Sequence, residues 1–119
     1  MVYKGSGVNS VIVNVVGKNP NLSNTASGDY SCAEGYYTKA LGANSHAEGS
    51  YSTAREPNSH AEGYQTYASG SSSHTEGNQT QASGGASHAE GQNTIAIGVG
   101  SHAEGNATRA SGINSHAEG

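Results

Sequence analysis

The sequence has no Trp and no Phe, a single Met, a single Cys and two Pro in 119 residues, and only 12% of it is charged. Without large apolar side chains an ordinary two-layer core is excluded, because burial at about 25 cal/mol per Å² must offset chain entropy. Lone Cys32 excludes an internal disulfide. Five Lys and Arg against nine Asp and Glu give a net charge of −4 and no basic patch, so no nucleic-acid partner is indicated. No stretch is long and apolar enough to span a membrane, and no membrane insertion is expected. The start, "MVYKGSGVNSVIVNVV", lacks a signal-peptide profile. Its "GSGVNS" lacks the context of a phosphate loop. Low hydrophobicity alone suggests disorder, but the low charge and the strict register described next oppose that reading.

What is present is a repeat. His46, His60, His74, His88, His102 and His116 are every His in the chain and follow one another at intervals of 14. Each lies in "SHAEG" or its close variant "SHTEG"; "SCAEG" at Ser31 to Gly35 adds a copy with Cys32 in the His position. Numbering a unit from its Ser, position 5 is Gly in every copy, from Gly35 to Gly119, and position 10 is Ala, from Ala26 to Ala110. Position 12 is Gly apart from Glu56, and position 8 is usually Thr. The array runs from about residue 24 to 119, with units starting near 31, 45, 59, 73, 87, 101 and 115; residues 1–23 form a separate strand, cap or attachment segment.

A 14-residue period suits two short strands and two turns. Two Gly per unit, each costing about 1 kcal/mol inside a helix, oppose a helical repeat. Side chains alternate along a strand. Positions 1, 3 and 5 (Ser, Ala, Gly) are therefore expected on one face and positions 2 and 4 (His, Glu) on the other. In the second strand positions 8, 10 and 12 form the small face, and the variable positions 9, 11 and 13 face solvent. Joining the small faces gives an all-β solenoid with a narrow Ala/Ser/Thr/Gly interior. Rungs about 4.8 Å apart make a rod roughly 33 Å long.

At this point the unit resembles the left-handed parallel β-roll of YadA-like heads in trimeric autotransporter adhesins. That family pairs a Ser-Val-Ala-Ile-Gly strand with an A-x-G strand; Ser59 to Gly63 and Ala68 to Gly70 supply S-H-A-E-G and A-S-G here. The SHAEG variant also resembles repeats of phage tail-fibre and prophage structural proteins, some of which precede a self-cleaving or receptor-binding domain. The resemblance implies an intertwined or side-by-side homotrimer in which positions 2 and 4 face neighbouring chains. Carried over, these are His46 and Glu48, His60 and Glu62, His74 and Glu76, His88 and Glu90, His102 and Glu104, His116 and Glu118, with Cys32 and Glu34 at the start. Polar ladders thus stand where the adhesins place aliphatic side chains.

Three departures carry expectations. Glu56-Pro57 replaces a Gly corner and predicts a distorted turn. "TIAIGVG" at Thr94 to Gly100 puts Ile95, Ile97 and Val99 on the solvent side as a contact patch. "VNSVIVNVVG" belongs to no unit but alternates as a strand, with Ile12, Asn14 and Val16 opposite Val11, Val13 and Val15.

The chemistry follows from the faces. Ser and His are neighbours on a strand, point to opposite sides, and cannot act as nucleophile and base. Six equivalent positions on a rod are not one pocket, so no enzyme activity and no cofactor are expected. Three-fold packing would gather His46, His60, His74, His88, His102 and His116 as candidate ligands for a divalent metal, but a His–Glu hydrogen-bonded ladder is the favoured reading. Ice binding is disfavoured because position-8 Thr points inward. The N-x-S/T matches at Asn21, Asn78 and Asn106 are expected by chance in this composition. The resemblance implies a structural and attachment segment of a phage tail fibre or spike. Its alternatives are a bacterial adhesin head and a β-roll preceding a self-cleaving or catalytic domain. The implied partners are further copies of the chain, a neighbouring fibre or baseplate protein and a host-surface receptor. The implied location is the virion or the cell surface.

Overall fold

The computed structural model describes residues 2–14 and 24–119. Every described element is a strand. The first two are β1 (Val2–Lys4) and β2 (Val11–Asn14). After them, five-residue strands at positions 2–6 of each unit, such as His60–Tyr64 and His74–Asn78, alternate with two-residue strands at positions 9–10, such as Tyr67–Ala68 and Gln81–Ala82. The long strands join β1 and β2 in one nine-stranded sheet, and the short strands form a seven-stranded sheet opposite. From β2 onward all pairing is parallel and each residue faces its counterpart one rung away, as His74 faces His88 and Ala82 faces Ala96. The body is a flat parallel solenoid with extents of 39 × 26 × 13 Å.

The interior is as thin as the composition requires. Ala33, Ala47, Ala61, Ala89 and Ala103 from the long strands meet Ala40, Ala54, Ala68, Ala82 and Ala96 from the short ones, all fully enclosed. Burying a methyl contributes about 0.8 kcal/mol, against about 1.5–3 kcal/mol for a leucine. Stability therefore accumulates rung by rung, together with the backbone ladders. Several inward serines are satisfied by their own turns: Ser31, Ser73 and Ser87 each donate Oγ–H to the carbonyl three residues back at 2.6 Å, whereas the enclosed Ser45 and Ser101 hydroxyls have no partner. The two corners of each rung are made by left-handed residues at positions 7 and 14, for example Gln65 (φ 55°) and Asn58 (φ 60°).

Three expectations are corrected. Position-5 glycines do not share the interior with Ser and Ala: Gly49, Gly77 and Gly91 are exposed, with φ of 99°, 105° and 105°. Positive φ breaks the alternation there. The Glu56-Pro57 turn is not distorted. Ser59 N–H donates to the Glu56 carbonyl at 3.2 Å, as Ser45 N–H does to Gly42, and the Glu56 side chain is only half-buried.

The third correction concerns the N-terminal strand, which is in register with the units. Val11, Ile12, Val13 and Asn14 pair with Cys32, Ala33, Glu34 and Gly35. Ser10 donates Oγ–H to Gly7 O at 2.8 Å, reproducing the serine–turn bond of later rungs. "SVIVN" thus occupies positions 1–5, but Ser10 precedes Ser31 by 21 residues instead of 14, which hides it from a search at constant period. β1 lies antiparallel on β2, with Tyr3 opposite Ile12, and forms the last strand at that end. Val15, Val16 and Asn21 lie outside the described residues.

Candidate functional site

The outer face of the long-strand sheet carries two parallel columns. Because the strands are in register, every position-2 side chain stacks on the next: Val11, Cys32, His46, His60, His74, His88, His102 and His116. The imidazoles lie face to face with centroids 4.7–4.9 Å apart and planes within 9°. Position 4 gives the second column, from Val13 through Glu34, Glu48, Glu62, Glu76, Glu90 and Glu104 to Glu118. No Lys or Arg stands in either column; Lys39, Arg55 and Arg109 belong to the short-strand side.

The columns are cross-linked diagonally. His46 Nε2 lies 2.8 Å from Glu34 Oε1, His60 Nε2 3.4 Å from Glu48 Oε1, His74 Nε2 3.3 Å from Glu62 Oε1 and His116 Nε2 3.3 Å from Glu104 Oε1. Each His thus meets the Glu of the preceding rung, as the ladder reading expects. His88 and His102 keep the diagonal, with Nε2 3.8 Å from Glu76 Oε1 and 3.4 Å from Glu90 Oε1, but neither reaches hydrogen-bond geometry and both Nε2 atoms are buried without a hydrogen bond. Glu90 stands between them, Oε2 at 3.7 Å from His88 and Oε1 at 3.4 Å from His102.

Neighbouring carboxylates also share hydrogen bonds, and their proton affinities alternate. The bond with Glu62 pushes Glu48 up to about 7, and the bond with Glu90 pushes Glu76 up to about 7. Glu34 is lowered first by His46, and Glu62 first by Glu48. Burial pushes His60 and His88 down, and the flanking imidazoles add to it. Burial and nearby carboxylates raise the thiol of Cys32, which is free. Beside the Glu column runs an open groove of about 760 Å³, floored by the glycines of position 5.

Groups of three potential ligands recur on this face: His46, Glu48 and His60; His60, Glu62 and His74; His88, Glu90 and His102; Glu104, His116 and Glu118. Within each, the donor atoms lie within 4.8 Å of one another. No Ser–His couple forms: Ser59 is enclosed in the interior, while His60 stands on the outer face.

Two surface features lie elsewhere. Tyr36, Tyr37, Tyr51 and Tyr64 form an exposed ring cluster at positions 6 and 7, in which Tyr37 and Tyr51 stack at 5.2 Å with planes 1° apart. Sequence reasoning missed it, although 36→50→64 and 37→51→65 are single-period steps. The anticipated apolar patch exposes Ile97 and Val99, to which the structure adds Ile113 at 75% exposure. No helix among the described residues is long and apolar enough to cross a membrane.

With this geometry in place, residues 33–54, 79–101 and 89–108 match the YadA head domain repeat. No match is found among curated proteins.

Proposed function

We propose that this chain, parts of which match the YadA head domain repeat, is a non-enzymatic structural and attachment segment of a homotrimeric fibre, specifically a phage tail fibre or spike. One observation carries the reading. From His46 to Glu118 the His/Glu face is uniform, whereas the short-strand face changes from Lys39 to Tyr67, Ile95 and Arg109 at a single position. A face that repeats without variation suits a partner with the same period, and a second and third copy of this chain have it. The interface is then formed by Cys32 and Glu34, followed by the His/Glu pairs from His46 and Glu48 to His116 and Glu118. Residues 1–23 serve as the cap and attachment end, and β1 laid across β2 supports that role.

The match to the YadA head domain repeat favours a second reading, a bacterial cell-surface adhesin head that binds host or matrix ligands. Light scattering on the purified chain tests the common premise: a trimer is expected, and a stable folded monomer overturns it. Binding of the labelled trimer to intact bacteria supports the tail-fibre reading; binding only to animal cells or extracellular matrix supports the adhesin.

A further inference from the structure

We propose that His88, Glu90 and His102 form a binding site for one divalent transition-metal ion, held by the Nε2 atom of each imidazole and the Glu90 carboxylate. Three observations converge on this place in an otherwise repetitive face. First, the three donor atoms already lie within 4.8 Å of one another. Second, the carboxylate is shared between the two rings, at 3.7 Å from His88 Nε2 and 3.4 Å from His102 Nε2. Third, both ring nitrogens are buried and without a hydrogen-bond partner. A buried, unpartnered acceptor or donor is costly, and a metal ion satisfies two at once.

The other groups lack the third feature. His46 is committed to Glu34 at 2.8 Å, His60 to Glu48 at 3.4 Å and His74 to Glu62 at 3.3 Å. His60 is moreover common to two of the groups, so both cannot be filled together. In the fourth group, at the last rung, His116 is exposed and bonded to Glu104 of the same group, so no buried nitrogen is left without a partner.

The distances suit a small ion. Tetrahedral zinc with bonds of about 2.0–2.1 Å holds its ligand atoms about 3.3 Å apart. The two His–Glu separations are near that value. The rings, parallel within 3° and 4.7 Å apart, must tilt toward each other to share the ion. In the single chain their side chains retain 34% and 35% exposure, which leaves room there for the rotation. Two imidazoles and one carboxylate select zinc, copper or nickel over calcium or magnesium, which prefer all-oxygen shells. The fourth position is left to water. All three donors come from adjacent rungs of one chain, so a single chain supplies the whole site, which lies on the face proposed as the trimer interface.

The test is a zinc titration of the intact, chelator-treated chain by calorimetry, repeated with cobalt(II) for its visible ligand-field bands. One ion per chain is expected. His88→Ala with His102→Ala should weaken binding at least about tenfold, and Glu90→Gln, which keeps the side-chain shape, should do the same. His60→Ala with His74→Ala removes as many imidazoles elsewhere and should leave the affinity unchanged. Three results each overturn the proposal: no zinc binding by the wild type, full affinity in Glu90→Gln, or an equal loss in the two double variants. The last would mark the ladder as a diffuse chelating surface. Should the His88/His102 variant fail to fold, Glu90→Gln carries the decision.

Discussion

A β-carbon on Gly77 would stand 2.1 Å from the carbonyl oxygen of Gly91 one rung below. The same 2.1 Å separates it from Gly105 O if placed on Gly91, and from Gly77 O if placed on Gly63. The backbones of successive rungs are therefore in direct contact along this column, with φ near 105° at each of these glycines. Gly77→Ala forces a strained left-handed φ, at about 1–3 kcal/mol, and also pushes two strands apart. Urea denaturation should show a loss of at least about 3 kcal/mol. Gly85→Ala is the control, since the nearest atom to its β-carbon is 3.9 Å away. It should shift stability by no more than about 1 kcal/mol, in the stabilising direction.

Ala86 holds a left-handed corner, φ 54°, that Asn fills at positions 44, 58 and 114. A left-handed residue costs roughly 1–2 kcal/mol unless it is Gly or a short polar side chain able to bond locally. Ala86 is exposed, so replacement disturbs no packing. Ala86→Asn should raise stability by about 0.5–1 kcal/mol in the same denaturation assay. A decrease would mean that the corner is held by something other than local backbone preference.

Thr75 is fully enclosed where the neighbouring rungs have Ala61 and Ala89, and its hydroxyl has no hydrogen-bond partner. It also divides the buried alanines into two clusters, Ala26 to Ala68 and Ala82 to Ala110. An unsatisfied buried hydroxyl costs about 1–3 kcal/mol. Thr75→Val keeps the shape and removes the penalty. Its thermal midpoint should rise, by an amount equivalent to about 1 kcal/mol. An unchanged midpoint would require a bound water on the hydroxyl.

Period and alternation made the rung legible. Ser at position 1, Ala at 3 and 10 and Thr at 8 could be placed inside because each is small and repeats in phase, and Ser59, Ala61, Ala68 and Thr66 are indeed buried. The alternation failed at Gly63 and its counterparts because it assumes an extended φ, which a glycine column is free to abandon. The Glu56 corner was misjudged for a related reason. Its turn is fixed by backbone bonds to Ser59, which any residue supplies, and not by the side chain. β2 escaped notice because the extra chain between Ser10 and Ser31 changes the phase without changing the pattern. The distinct behaviour of His88 and His102 was beyond the sequence: their own residues repeat those of the other rungs, and His102 lies as far from Glu90 as hydrogen-bonded His60 does from Glu48, 3.4 Å, so ring and carboxylate orientation separates bonded from unbonded.

The Glu48–Glu62 contact gives the face a pH dependence whose sign can be worked out. Glu48 is raised from 4.5 to about 7 by its bond with Glu62, so its contribution is fully present below about 4.5 and lost as pH rises through about 7. Glu62, lowered by the same bond, contributes above 4.5 and loses its contribution as pH falls through its depressed value. The pair therefore favours the folded state most near pH 4.5. Lowered His60 acts oppositely to Glu48, since its contribution is present above 6.5 and lost on acidification. Glu62→Gln also removes a carboxylate that raises His60 and that bonds His74, so the Glu48 titration itself is what reads the carboxylate pair. Glu62→Gln replaces the carboxylate by an amide whose N–H donates to Glu48 and holds it ionised, so Glu48 should return toward the ordinary carboxylate range. Carbon-13 spectra of the Glu side chains should show the Glu48 carboxyl titrating near neutrality in the wild type and well below it in the variant. Unfolding curves across pH 5–8 should show the wild type losing stability relative to Glu62→Gln as pH rises. A Glu48 midpoint unmoved by the substitution would refute proton sharing along the column.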